Sequence, residues 1–502
     1  MTHDRIIRLF RSHFGSDPVT VTALAGDGSA RTYLRLIGPD GRVVVGGYGP
    51  EREENRAFVA YARAFREAGL PVPDILAADL DSGVWLEEDL GDVTLFDALR
   101  AARERDRTTG SDDAASTSGA GRPALPADIR RAYRRVVDWL PRFQVEGHRV
   151  ADYRLAYPHR AFDRQSILWD LNYFKYHFLK LAHVPFHEAR LERDFRKLTA
   201  FVLRAPADHF LYRDFQSRNV MLREGEPWFI DFQGGRRGAP QYDLASLLFD
   251  AKADLPAAFR AELVDRYLDA RAALEPVDRS AFLELFPGFV LVRLMQAMGA
   301  YGYRGFYERK PRFLESVPYA ARNVAGILAD GLPVATPELE AVLARIAERW
   351  SAESAAARCR SGLTVHLTSF SYRRGYPSDP AGHGGGFVFD CRALPNPGRE
   401  QAYTDLTGLD EPVRAFLEAQ DSCRAFFEHA VSLVENQVES YRARGFTDLA
   451  VAFGCTGGQH RSVYLAERLH GALGERFPDL TVDVTHRERP FWPHGGRDTA
   501  DG

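Results

Sequence analysis

The spacing of apolar residues along this chain changes period several times, and each change marks an element. Ile6, Ile7, Leu9, Phe10 and Phe14 are interrupted by Arg and His across residues 1–15, the pattern of an amphipathic helix and not of a leader peptide. Strand-like runs follow at 19–24, 33–37 and 42–45. The first two flank Ala25-Gly-Asp-Gly-Ser-Ala-Arg31, a turn whose small residues let backbone N–H groups approach a phosphate. Phe58, Tyr61, Ala62 and Phe65 recur at helical spacing over 53–68. A hairpin comes next at 75–79 and 84–88, then Thr94 as the N-cap of a helix over 95–103. Residues 103–126 are a low-complexity insert with nothing to bury, expected to be a disordered excursion. Helices dominate 128–205, where Ile167, Leu168, Leu171, Phe174 and Phe178 predict a core-facing helix whose polar residues face water. A second hairpin, 220–222 with 228–230, turns at 224–227, and helices fill 242–328.

The pattern changes again after residue 335. A polar, alanine-rich helix reads as a linker over 336–360. Beyond it, strands at 363–369, 387–390, 449–453 and 481–486 alternate with helices at 422–443 and 462–473. That alternation predicts a small three-layer α/β domain over 361–490, followed by a tail at 491–502.

Composition narrows the picture without changing it. At 502 residues, 45% hydrophobic and 12% aromatic, the chain can fill two or three cores, which excludes wholesale disorder. A net charge of −4 gives no general attraction to nucleic acid or anionic lipid. No apolar run has the length of a membrane span, so a cytoplasmic protein with no membrane partner is expected. Cys359, Cys391, Cys423 and Cys455 are evenly spaced, but their flanks share no pattern and zinc sites need close pairs.

The candidate chemistry centres on the second hairpin. Asp214 lies in the loop before it, Asn219 five residues later, and Asp231 opens the loop after it. Phosphoryl transfer from a nucleotide needs a carboxylate at the acceptor hydroxyl, and an amide oxygen plus a second carboxylate to hold Mg2+ against the phosphates. Each residue alone is an ordinary loop residue. Three at this spacing, followed by Gln241-Tyr-Asp-Leu-Ala-Ser246, favour the chemistry. Tyr212-Arg-Asp214 and Asp231-Phe-Gln233 resemble the catalytic and metal motifs of the aminoglycoside phosphotransferase and choline kinase branch of the kinase-like fold, and within it the AmgK type of amino-sugar kinase. The resemblance covers roughly residues 18–330. It implies an α+β protein-kinase-like bilobal domain over 1–335, using ATP and Mg2+, with Asp214 as base, Asn219 and Asp231 as metal ligands and Asp243 as a brace of the catalytic loop. It also places Gly26, Gly28 and Ser29 at the phosphates, Glu88 and Leu90 at the hinge beside adenine, and Asp170 and Asn172 near the acceptor. Most kinases carry a lysine on the third strand. This chain has Val43-Val-Val-Gly-Gly47 there and no lysine before Lys175: either an arginine such as Arg31, Arg35 or Arg42 supplies the charge, or ATP is positioned differently, or the domain is catalytically weak. The acidic start of the 53–68 helix, with Glu51, Glu53 and Glu54, then reads as solvated.

In the second domain the focal stretch is Gly454-Cys-Thr-Gly-Gly-Gln-His-Arg-Ser462, a glycine-rich turn between a strand and a helix where backbone N–H groups can bind an anion and Arg461 can grip a phosphate bidentately. With Ser369–Tyr372, Phe387–Arg392, Leu394–Pro397 and Leu406–Asp410, it resembles the C-terminal domain of the RapZ adaptor family. That resemblance implies a phosphosugar pocket from Asp390, Arg392, Asn396, Thr456, Gly457, Gly458, His460, Arg461 and Ser462, and a part in RNA binding. The domain carries 14 arginines and no lysine against 19 acidic residues from 361 to 502, a net charge of −5, which opposes RNA as a partner. Cys455 and Arg461 also fit a cysteine-dependent phosphatase loop, though Gly454 stands where such enzymes have histidine. Together these features predict a kinase of a sugar or amino-sugar hydroxyl, of the N-acetylmuramate or N-acetylglucosamine kind, coupled to a sugar-phosphate sensor. The alternative is a catalytically weak nucleotide-binding adaptor that signals to a protein or RNA.

Overall fold

The computed structural model describes residues 2–24, 31–109, 125–350, 363–377, 386–443 and 446–493. Gly26, Gly28 and Ser29 lie outside the described residues, as do most of the insert and the tail. The chain divides into two units, residues 1–307 with 312–350, and 308–311 with 351–502.

The first unit opens with helix α1 (Thr2–Phe14) and strands β1 (Thr20–Leu24), β2 (Thr32–Ile37) and β3 (Val43–Tyr48). Helix α2 (Arg52–Glu67) and strands β4 (Ile75–Asp79) and β5 (Val84–Glu88) follow. The strands form one antiparallel sheet in the order β1-β2-β3-β5-β4. Alternation of side chains along each strand sorts the two faces. Leu34, Leu36, Val44, Val84 and Leu86 pack with Ile6 and Phe10 of α1. The opposite face carries Tyr33, Gly47 and Trp85 in register, with Phe58 of α2 against the Trp85 ring at 5.3 Å.

The helical lobe comprises α3 (Leu95–Thr109), α4 (Ala127–Val150), α5 (Arg164–Phe174), α6 (Glu188–Val202), α7 (Gln241–Leu248), α8 (Ala257–Ala272), α9 (Arg279–Gly302), α10 (Val317–Asp330) and α11 (Pro337–Arg349). Between α6 and α7 run β6 (His209–Leu211), the hairpin β7 (Val220–Arg223) and β8 (Glu226–Phe229), and β9 (Arg236–Gly238). Helix α9 is the spine, packed against α5, α7 and α10. With the turn that follows, Arg279–Tyr307 is long and apolar enough to cross a membrane, a length the sequence pattern hides because Glu284 and Arg293 interrupt it. Of its most apolar stretch, 67% is buried inside the protein, as befits a core helix.

Two boundaries differ from expectation. The insert does not begin at 103: α3 continues to Thr109 because Arg103 donates to the carbonyls of Lys252, Ala253 and Asp254 and is held there. Nor is α11 a linker. Leu339, Val342, Leu343 and Ile346 are fully buried against α6 and α10, and Asp194 caps the helix by accepting from the amides of Glu338 and Leu339 at 2.8 and 3.1 Å. Polar composition hid a narrow apolar stripe at i, i+3, i+4 and i+7.

The second unit is a parallel-sheet α/β domain. Strands β10 (Thr364–Ser371), β11 (Gly386–Asp390), β12 (Asp448–Cys455) and β13 (Thr481–His486) lie in the order β11-β12-β10-β13, all parallel. Helices α12 (Glu411–Glu418), α13 (Asp421–Ala443) and α14 (Arg461–Arg476) accompany them. Parallel strands need crossovers; the central strand β12 carries the continuous apolar run of a strand covered on two faces, while β10 alternates Val365 and Leu367 with His366 and Thr368.

Candidate active site

The hairpin β7–β8 brings three side chains together. Asn219 donates through Nδ2 to the Asp214 carbonyl at 2.8 Å and to Asp231 Oδ2 at 3.0 Å. Both bonds use the amide nitrogen, which leaves Oδ1, the atom a hard cation takes, for the other side. Gln233 donates to Asp231 Oδ1 at 2.5 Å. Asp231 itself sits at φ +69, a left-handed backbone that points its carboxylate back toward Asn219. The Asp231 carboxyl is pushed up to about 6, chiefly by burial and then by the neighbouring Asp214 charge. The carboxylate pair plus an amide oxygen is an all-oxygen set that fits Mg2+.

The loop is held from below. Asp243, fully buried on α7, accepts from the backbone N–H groups of Tyr212 at 2.8 Å and Arg213 at 3.0 Å. Burial raises its carboxyl to about 7 even against those bonds. The Tyr212 hydroxyl donates to the Ile230 carbonyl at 2.6 Å, tying the Asp214 loop to the Asp231 loop. Arg213, at φ +85, forks onto Asp170 at 2.6 and 2.7 Å and donates to the Tyr242 hydroxyl at 2.8 Å. Asp170 therefore neither faces water nor stands free for an acceptor: it is 7% exposed and is the counter-ion of Arg213.

Asp214 is open, its side chain 41% exposed, with Arg293 Nη2 of α9 at 3.8 Å from Oδ1. Ser246 and Gln296 hold that arginine. Glu88 ends β5, where its amide donates to the Asp74 carbonyl and its carboxylate meets Arg223 at 2.5 Å. Leu90 is buried two residues on. Of the three candidate arginines, Arg35 pairs with Asp89 and Asp92, and Arg42 is an exposed partner of Asp40. Arg31 is buried, with Nη2 at 3.3 Å from Glu54 Oε1. Glu54 is thus not the solvated helix-start residue that the sequence predicted, because a buried guanidinium pulls it inward.

In the second unit the turn between β12 and α14 is tightly packed. Cys455 Sγ accepts from the Gly458 amide at 3.2 Å and lies 3.2 Å from Ser462 Oγ, with Cys455 and Ser462 both buried. Arg461, 4% exposed, spends Nη1 on the carbonyls of Arg392 and Leu394, both at 2.9 Å. One nitrogen of its fork is thus engaged inside the domain. His460 is turned inward onto the Tyr403 carbonyl at 2.9 Å, and burial lowers its pKa. Thr456 and Gly457 are exposed, Gly458 is buried, and Asn396 is half-buried. Asp390 and Arg392 are exposed and paired at 2.6 Å, the guanidinium 4.0 Å over the Tyr372 ring.

Comparison with known proteins agrees with this division. Residues 20–277 match the phosphotransferase enzyme family, over half of the chain. The chain belongs to that family. Residues 363–490 of this phosphotransferase-family chain match the RapZ C-terminal domain. Curated relatives include a nucleotide-binding protein of Halorhodospira halophila, 44% identical over 129 residues, covering 26% of this chain and 42% of that protein. Another, from Methylobacillus flagellatus, is 37% identical over 173 residues, 34% of this chain and 58% of its own. The chain spans roughly half the length of the curated relatives it matches. Among solved structures, choline kinase LicA from Streptococcus pneumoniae aligns at 12% identity and TM-score 0.40, over 64% of this chain and all of that one. Amicoumacin kinase hAmiN in complex with AMP-PNP, Ca2+ and Ami aligns at 15% and 0.38, over 66% and 88%.

Two features of this family member are not evident from the sequence. Arg293 reaches Asp214 from a distant helix, and its one signal is a lone charge inside the apolar run Phe286–Met298. The Asp170–Arg213 pair joins residues 43 positions apart, and nothing local marks it.

Proposed function

We propose that this chain is an ATP- and Mg2+-dependent kinase of a sugar or amino-sugar hydroxyl, acting in the cytoplasm, with a second domain that binds a sugar phosphate. The reading rests on one observation above the others: Asp214, Asn219 and Asp231 converge around the hairpin while Asp243 fixes the loop that carries them. Asp214 is the exposed carboxylate, placed to accept the proton of an acceptor hydroxyl. Asn219 and Asp231 would hold Mg2+, which when bound neutralises the phosphate oxygens. The hinge after β5, at Glu88 and Leu90, would lie along adenine. For the second domain, the exposed residues Asp390, Arg392, Thr456 and Gly457, with Asn396, are the ones placed to meet a phosphosugar. Gly458, His460, Arg461 and Ser462 would support them from beneath.

The test is transfer from ATP to a panel of N-acetylmuramate, N-acetylglucosamine and glucosamine. Wild type phosphorylates at least one, and Asp214→Asn does not. Nucleotide binding without transfer to any acceptor would leave the adaptor reading in its place.

A further inference from the structure

The sequence leaves the kinase-like domain without the strand lysine that anchors nucleotide phosphates, and the structure shows why no side chain stands there. Gly47 of β3 lies in register with Trp85 of β5, and a Cβ at Gly47 would overlap the indole ring. The space of a β3 side chain on this face is filled by Trp85. Two strand positions from Trp85, Glu87 is buried on the same face and accepts from the indole Nε1 at 3.2 Å. Arg31, immediately before β2 and two positions from Tyr33, belongs to the same face by alternation. Its guanidinium lies 5.5 Å from the ring centroids of both Phe58 and Trp85, and Nη2 is 3.3 Å from Glu54 Oε1 on α2. The side chain is 4% exposed, and the Phe58 ring against which it lies stacks on Phe232, the residue after Asp231, at 5.2 Å.

We propose that Arg31, aimed by Glu54, is the phosphate-anchoring cation of this domain, entering from β2 because Trp85 has closed the β3 route. The inference rests on the kinase reading above. A guanidinium keeps its charge when buried, and its fork can hold a carboxylate with one edge and phosphate oxygens with the other. The aromatic rings on which it lies fix its plane.

The test is calorimetric titration of the full chain with magnesium AMP-PNP and, separately, with adenosine, which has no phosphate. Arg31→Gln weakens AMP-PNP binding about ten- to hundredfold and leaves adenosine binding unchanged. Glu54→Gln, which keeps the cation and removes what aims it, gives a smaller loss confined to AMP-PNP. Equal AMP-PNP affinity in wild type and both variants overturns the proposal, and so does a parallel loss for both ligands, the mark of a merely structural arginine. A wild type that binds neither ligand overturns this inference and the kinase reading together. Selective loss in a protein that transfers no phosphate overturns the kinase reading alone.

Discussion

At the residue scale, two aspartates a hairpin apart have opposite surroundings. Asp214 is open, with Arg293 close by, and Asp231 is enclosed beside it. Removing the first carboxylate while keeping its shape should cost the proton acceptor alone. Asp214→Asn is expected to lower kcat by about 10²–10⁴-fold with little change in KM for ATP, read from steady-state kinetics. Asp231 makes a different prediction. Its folded-state pKa of about 6 lies above the unfolded value of about 3.9, so at intermediate pH the folded protein holds a proton that the unfolded chain has lost. Stability from this group therefore falls as pH rises from about 4 through 6. Asp231→Asn is expected to raise the melting temperature most above pH 7 and to give no gain near pH 4, while abolishing transfer. A gain that grows toward acid would contradict the assignment. Mg2+ binding should release a proton near pH 6, which titration in buffers of different ionisation enthalpy would register.

At the element scale, caps and turns carry what the apolar pattern does not. Helix α11 is docked by Asp194, and Asp194→Ala should cost about 1–2 kcal/mol, measured by denaturant unfolding of the first unit. The β12–α14 turn depends on Gly458 at φ +68, where a Cβ would overlap the Glu488 side chain. Gly458→Ala should cost on the order of 1–3 kcal/mol, and it should destabilise only the second unit. Most strands and the β7–β8 hairpin were legible, because period-two runs bounded by Gly, Pro and Asp announce themselves locally. Helix α11 and the extension of α3 to Thr109 were not. Their partners, Asp194 and the carbonyls of 252–254, lie far along the chain.

At the scale of the whole molecule, two units that share no hydrophobic cluster should unfold as two transitions. A ligand that binds one folded unit raises only that unit's transition. Magnesium AMP-PNP is expected to shift one calorimetric peak and glucosamine 6-phosphate the other. A single peak moved equally by both would contradict independent sites.

The sequence alone determined what neighbours in the chain can determine. The spacing of Asp214, Asn219 and Asp231 about one hairpin announced that the three would lie close together, since a short turn returns the chain to the same place whatever surrounds it. The alternation beyond residue 361 announced the α/β domain by the same local logic. Tertiary structure decided which charges are spent and which are available. It gave Asp170 to Arg213, turned Arg461 inward onto two carbonyls, brought Arg293 to Asp214 and set Arg31 against Glu54. A charge removed from water must find a partner wherever the fold provides one, and that pairing is fixed by packing between distant segments, which no local pattern encodes.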